Sequence, residues 1–341
     1  VYRLDSKLAN IRAGRYTRTD FIIADAKDGD MGPSITSCGP LRNPDGSWTR
    51  YHTRPEFLNN IKAIVEQNIV DIMLTSAANL EALIGMGVFR DSPVKPAIRA
   101  NDTTDVWVMR GATYAKEPSR PFRTASLPRV MHGGLDPSPG TPVTGTDLGL
   151  YSITFNNDLA RDCASLEAFS AFRDDAARNN FKYFLEVFNP NVDCGIAPEL
   201  MPFYVNDCIM RCLAGVTRAD RPQFLKIAYN GPKPLEELAS YDPSVIVGVL
   251  GGGAGTTRDC FELLNQAEKY GARVALFGRK INLAEDPLAM VTFMREVASG
   301  NLKPAEAVKA YHGSLAKRGI TPARDLAADS EITEKVLKTA A

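Results

Sequence analysis

The chain has 341 residues, with 40 Lys and Arg against 40 Asp and Glu, which suits two or three small domains or one large α/β barrel and, with no basic cluster, argues against nucleic acid or anionic lipid as a partner. No apolar run approaches the roughly 20 residues that cross a bilayer, and the first residues are no signal peptide, so a soluble cytoplasmic protein with no membrane partner is expected. Six cysteines without a CxxC pair and three histidines outside any HExxH or HxH pattern argue against a disulfide scaffold and a His-based zinc site, leaving only a carboxylate Mg²⁺ site open.

In chain order, short apolar runs alternate with loops and segments of helical period. The first run, Asp20 to Asp25, ends in an acid where a catalytic carboxylate would stand, and Asp28 and Asp30 in the loop after it read as turn formers. Ile69 to Thr75 and Ala97 to Asn101 are the second and third runs. A stretch from Gly111 to Gly149 follows, with six prolines from Pro118 to Pro142 among six glycines. It reads as a long loop at about 111–147, either a lid or binding loop or else a surface excursion or subunit contact. The fourth run is Leu148 to Phe155.

The fifth and sixth runs each carry one ionisable side chain. In Tyr183 to Phe188, Glu186 is in phase with Phe184 and Phe188; in Phe224 to Ala228, Lys226 is in phase with Phe224 and Ala228. Period-2 alternation turns both toward one side of the sheet. An ammonium in apolar surroundings has its charged form disfavoured, and its neutral amine can attack a carbonyl to form a Schiff base. A neighbouring Glu186 could shuttle the protons this requires; a buried ion pair is the structural alternative.

The seventh run, Val245 to Leu250, opens onto Gly251-Gly252-Gly253-Ala254-Gly255. A helix over Thr257 to Gly271 follows, with Gly271 as its C-cap. The eighth run, Arg273 to Phe277, is followed by Gly278-Arg279, and Asp286-Pro287 opens another helix. Glycine amides can close around an anion, and barrel enzymes commonly bind phosphate after strands seven and eight. Gly251, Gly252, Gly253, Gly278 and Arg279 are therefore the candidate phosphate site. Eight strands in this length predict a TIM (β/α)8 barrel, a single domain over 1–341 with a C-terminal helical extension at about 300–341.

With Lys226, the glycine run and Gly278-Arg279 in this order, the C-terminal half resembles the class I aldolase family that groups deoxyribose-phosphate, archaeal-type fructose-bisphosphate and tagatose-bisphosphate aldolases. The resemblance covers the layout from Asp20 to Ala298 and is specific from about Tyr183 onward, best over Phe224 to Tyr229, Phe277 to Lys280 and Glu285 to Leu288. It implies a class I aldolase: C–C bond cleavage or formation in a phosphorylated ketose, Lys226 as the imine-forming residue, Gly278-Arg279 on the substrate phosphate, no metal or other cofactor, and a homo-oligomer. On this reading Glu186 moves protons and Asp25 positions or deprotonates the hydroxyl at the cleaved bond.

The resemblance has departures. Glu186 and Phe188 stand where archaeal-type fructose aldolases carry Trp-x-Tyr, which resembles the tagatose-bisphosphate and sulfosugar branch. Yet Tyr151 to Phe155 offers no lysine of that branch, and Asp25 is followed by Ala26-Lys27 rather than His-Gly or Gln-Arg-Gly. Substrate identity stays open. So do a thiolase- or transaldolase-type relative using the same lysine, a Mg²⁺-dependent enolate enzyme, and a non-catalytic sugar-phosphate-binding barrel.

Overall fold

Eight parallel strands close into a barrel: β1 (Ile22–Ala26), β2 (Ile72–Thr75), β3 (Lys95–Arg99), β4 (Leu148–Thr154), β5 (Lys182–Phe188), β6 (Leu225–Ile227), β7 (Gly248–Leu250) and β8 (Val274–Phe277). Sequence neighbours are spatial neighbours, and β8 closes the ring on β1 with Ile22 beside Val274. This computed structural model describes residues 2–253 and 255–338; Ala254 of the glycine run and 339–341 of the expected extension lie outside the described residues. The expected TIM barrel is the observed fold. Every apolar run overlaps its strand. β3 begins two residues before the expected Ala97, because a proline such as Pro96 is tolerated near the start of a strand.

Two apolar layers follow from the strand alternation. Ile22, Ala24, Leu150, Phe184, Phe224 and Leu276 belong to a cluster inside the barrel, whereas Ile23, Met73, Leu185, Leu225 and Phe277 pack outward against the helices. The amino-terminal end of the barrel is plugged by the helix Arg3–Arg12, whose Leu4 and Leu8 join the interior cluster. Buried Asp71 fastens this plug. It accepts from Arg3 Nε at 2.7 Å, Lys7 Nζ at 3.0 Å, Arg295 Nη2 at 2.7 Å and the Ile23 amide at 2.8 Å.

The outer helices start as their capping residues dictate. Asp286 Oδ1 accepts from the Ala289 amide at 3.0 Å to open Pro287–Ala298, as expected. Thr256 and Asp259 form a capping box at the start of Thr257–Lys269. That helix ends at Tyr270, and Gly271, at φ +107°, makes the turn beyond it rather than the cap itself. Helix Pro304–Lys317 and the short turns Leu326–Asp329 and Lys335–Lys338 follow the last barrel helix. No helix among the described residues is long and apolar enough to cross a membrane.

The stretch expected as one long loop has structure of its own. Asp102–Thr103 pairs antiparallel with Pro121–Phe122, and helix Leu127–His132 ends at Gly133 in the left-handed region. Trp107 packs edge-on against Tyr114 and Phe122, 5.1 and 4.9 Å away, and ties the pair together. A second excursion, after β1, carries the antiparallel pair Pro40–Arg42 and Trp48–Tyr51.

Candidate active site

The carboxyl ends of the strands surround a cavity of about 730 Å³. Its floor is set by strand register. Lys226 on β6 pairs with Glu186 on β5, and Glu186 pairs with Ser152 on β4, so three polar side chains stand in one row. One layer below, Phe184 and Phe224 stack with centroids 4.6 Å apart and seal the interior. All three polar residues are in phase with the inward cluster, as alternation predicts for Lys226 and Glu186.

Lys226 Nζ lies 2.5 Å from Glu186 Oε1, and both residues are buried. The two charges face each other, as their phase on neighbouring strands led one to expect, and the carboxylate is the direct partner of the ammonium. Glu186 Oε2 accepts from Ser152 Oγ at 2.6 Å and from Arg99 Nη2 at 3.2 Å, which leaves Oε1 turned toward the amine. Arg99, at the end of β3, also donates from Nε to Asp28 Oδ2 at 2.7 Å and from Nη1 to Ser152 Oγ at 2.9 Å. Burial works against the Arg99 charge, but Asp28 and Glu186 outweigh it and raise its pKa above the ordinary value. Burial would likewise raise Asp28, and the Arg99 and Lys226 cations more than offset it, so this carboxyl sits below its usual range.

Two acids exchange places relative to expectation. Asp25 is in register with Phe277 on β8 and Met73 on β2, both in the outward layer, and it is absent from the cavity wall. It is fully buried between barrel and helices. Among the described residues its one close partner is the Lys27 ammonium, 3.3 Å from Oδ1. Of the two, it is Asp28, read from sequence as a turn former, that faces the cavity. Asp30 turns instead to Ser76 Oγ at 2.5 Å and Asn79 Nδ2 at 3.1 Å.

Of the candidate anion residues, Gly251, Gly252, Gly278 and Arg279 border the same cavity, whereas Gly253 lines the pocket next to it. Gly251 contributes no free donor, because its amide is spent on the Leu276 carbonyl at 2.8 Å. It is glycine for packing: a Cβ there would sit 2.6 Å from the Phe277 ring. Gly278 has a similar reason, with Ala26 O 2.5 Å from where its Cβ would be. Gly252 and Gly253 are exposed, and their amides donate to no carbonyl among the described residues. Exposed Arg279 donates from Nη2 to Gly252 O at 2.8 Å, which holds the guanidinium over the loop. Lys280, missed from sequence, lies beneath and donates to Gly255 O at 3.0 Å. The cavity rim opposite is formed by 105–108, and none of its lining comes from 111–147. Among the described residues, no group of three or more His, Cys, Asp or Glu side chains is placed to hold a metal ion.

No protein-family profile matches the sequence, and no curated protein does. Solved structures do match in fold. An archaeal fructose 1,6-bisphosphate aldolase superposes with a TM-score of 0.59 at 17% identity, covering 87% of this chain and 99% of its own. A Schiff-base-forming fructose-1,6-bisphosphate aldolase gives 0.59 at 16% identity, covering 86% and 99%. The fructose-bisphosphate aldolase of Slackia heliotrinireducens gives 0.64 at 11% identity, covering 92% and 90%. The barrel is thus of the kind that the sequence resemblance implied.

The buried Asp25 makes a pH-dependent contribution that can be measured. Burial lifts its pKa from the ordinary 3.8 to about 6, with Lys27 offsetting part of the rise. Between these values the folded chain holds a proton that the unfolded chain has released, so stability falls as pH rises through the window and is level above it. The unfolding free energy of Asp25→Asn relative to wild type should therefore climb by roughly 2 kcal/mol between pH 4 and pH 7. Urea unfolding at a series of pH values checks this; a pH-independent difference would contradict it.

Proposed function

We propose that this protein is a class I aldolase-type lyase that breaks or forms a C–C bond in an anionic ketose through an imine at Lys226. The observation that carries the reading is the 2.5 Å contact between Lys226 Nζ and Glu186 Oε1 on the cavity floor. A lysine attacks a carbonyl only as the neutral amine, and Glu186 is placed to take the ammonium proton. The amine adds to the ketone carbon to give a carbinolamine. Glu186 then returns the proton to the carbinolamine hydroxyl, which leaves as water, and the iminium remains. When the adjacent C–C bond breaks, its electron pair flows into the iminium to form an enamine. The proton of the substrate hydroxyl departs as that hydroxyl carbon becomes an aldehyde. Protonation of the enamine and hydrolysis release the ketone and restore Lys226.

Supporting groups follow from the geometry. Ser152 and Arg99 hold Glu186 Oε2, so the oxygen facing the amine has one orientation. Asp28 Oδ2 is engaged by Arg99, leaving Oδ1 to accept from a substrate hydroxyl, the role the sequence reading gave to Asp25. The amides of Gly252 and Gly253 with Arg279 form the anion seat, adjacent to β6 and so close to the reacting carbonyl.

Turnover of a panel of phosphorylated ketoses, measured as released aldehyde with and without a chelator, tests the reading. Activity that vanishes on chelation would favour Mg²⁺-assisted enolate chemistry, and ligand binding without turnover would favour a binding barrel. Glu186→Gln keeps the shape and loses the exchangeable proton. Its kcat should fall by roughly 10² to 10⁴, with the imine forming more slowly as well; a near wild-type kcat would move the proton-transfer role elsewhere.

A further inference from the structure

Five cations border the cavity among the described residues, and four are already committed. Lys226 is paired with Glu186, Arg99 with Asp28 and Glu186, and Lys27 with Asp25. Lys280 is spent on Gly255 O and Thr257 Oγ1. Arg279 alone is exposed with a single hydrogen bond, to Gly252 O, so one open cationic seat remains, after β7 and β8.

The opposite wall has the opposite character. In the ring order of the strands, β3 and β4 lie across the barrel from β7 and β8. Two charged side chains border the cavity there: Arg99, already held by Asp28 and Glu186, and Asp105, flanked by Val106 and Val108. Its carboxylate is fixed by Ser119 Oγ at 2.9 Å and, at the end of β4, by Thr154 Oγ1 at 2.7 Å. Each oxygen keeps a lone pair for one more donor. Such a wall accepts a hydroxyl and repels a phosphate.

We infer that the substrate is a ketose with a single anionic group, seated on Gly252, Gly253 and Arg279, whose uncharged, hydroxylated far end meets Asp105, and that Asp105 discriminates against a second phosphate. This rests on the Schiff-base reading of Lys226 and narrows its substrate class. A bisphosphate would place its second dianion against a fixed carboxylate with no open cation within reach, and like charges so juxtaposed oppose binding.

The test uses borohydride inactivation in the presence of dihydroxyacetone phosphate, which reports imine formation. A hexitol 1-phosphate and the matching hexitol 1,6-bisphosphate lack a carbonyl, so they protect only by occupying the cavity. The monophosphate should protect at a concentration at least about tenfold lower than the bisphosphate, and Asp105→Asn should bring the ratio toward one. Equal or better protection by the bisphosphate, or protection by neither, overturns the inference. An undiminished ratio in a folded Asp105→Asn protein overturns the assignment to Asp105. The wild-type comparison stands whether or not the variant folds. No inactivation dependent on dihydroxyacetone phosphate would overturn the Schiff-base reading itself, a separate and recognisable failure.

Discussion

Lys226→Ala should lower kcat by roughly 10⁴-fold or more, because no other group on the cavity floor can supply the amine that forms the imine. The fold should survive. Glu186 loses the ammonium at Oε1 but keeps Ser152 at 2.6 Å and Arg99 at 3.2 Å on Oε2, so the cost is that of one charged hydrogen bond, about 1.5 to 3 kcal/mol. Lys226→Arg separates the two effects. A guanidinium retains the positive charge beside Glu186 yet does not deprotonate to a nucleophile, so this variant should be near wild type in stability and as inactive as the alanine variant. Turnover in Lys226→Arg within tenfold of wild type would remove the lysine from the mechanism.

The largest stability effect is expected at Arg99. Arg99→Met leaves Asp28 without its 2.7 Å partner and strips Glu186 of its second cation, both in buried surroundings. Breaking a buried ion pair from one side costs about 3 to 5 kcal/mol. The loss should be greatest at neutral pH. Arg99 is one of the groups holding the Asp28 pKa below its usual range, and a lowered carboxyl contributes stability above its unfolded pKa that disappears as pH falls through its folded one. The difference between wild type and variant should therefore shrink on acidification below about pH 4. Adding Asp28→Asn should recover part of the loss, since the orphaned charge goes with it. Urea midpoints of the two single variants and the double variant decide this; additive losses would mean that the Arg99–Asp28 pair carries no coupling.

The barrel was legible because strands of a parallel sheet are buried on both faces and so stand out as apolar runs. Lys226 and Glu186 were legible for a related reason, each being a lone charge inside such a run, with the period-2 rule fixing its direction. The same rule, applied to Phe21-Ile22-Ile23-Ala24-Asp25, places Asp25 with the outward Phe21 and Ile23, and that signal was outweighed by its position at a strand end. Arg99 could not be found this way. An arginine at the end of Lys95–Arg99 reads as an exposed strand terminus, and its burial depends on Ser152, Glu186 and Asp28, which are separated from it by 53, 87 and 71 residues. The helix Arg3–Arg12 did carry a local signal in Leu4, Leu8 and Ile11 at helical spacing. Sequence marks the glycine loops but does not separate an amide such as that of Gly252, which donates to no carbonyl among the described residues, from one spent on strand pairing, as at Gly251.

An imine at Lys226 is trapped by reducing the protein with borohydride in the presence of dihydroxyacetone phosphate, and peptide mass spectrometry maps the adduct. Hydride addition to the iminium leaves a stable secondary amine on the reacting lysine. The reduced adduct should lie on Lys226 and be absent from Lys226→Arg. Lys27 is the internal control, a second buried amine at the cavity edge, 3.4 Å from Asn282 Oδ1 and paired with Asp25 rather than with Glu186. Modification of Lys27 in place of Lys226, or an unmodified protein that still turns over a ketose phosphate, would mean that Lys226 does not form the imine.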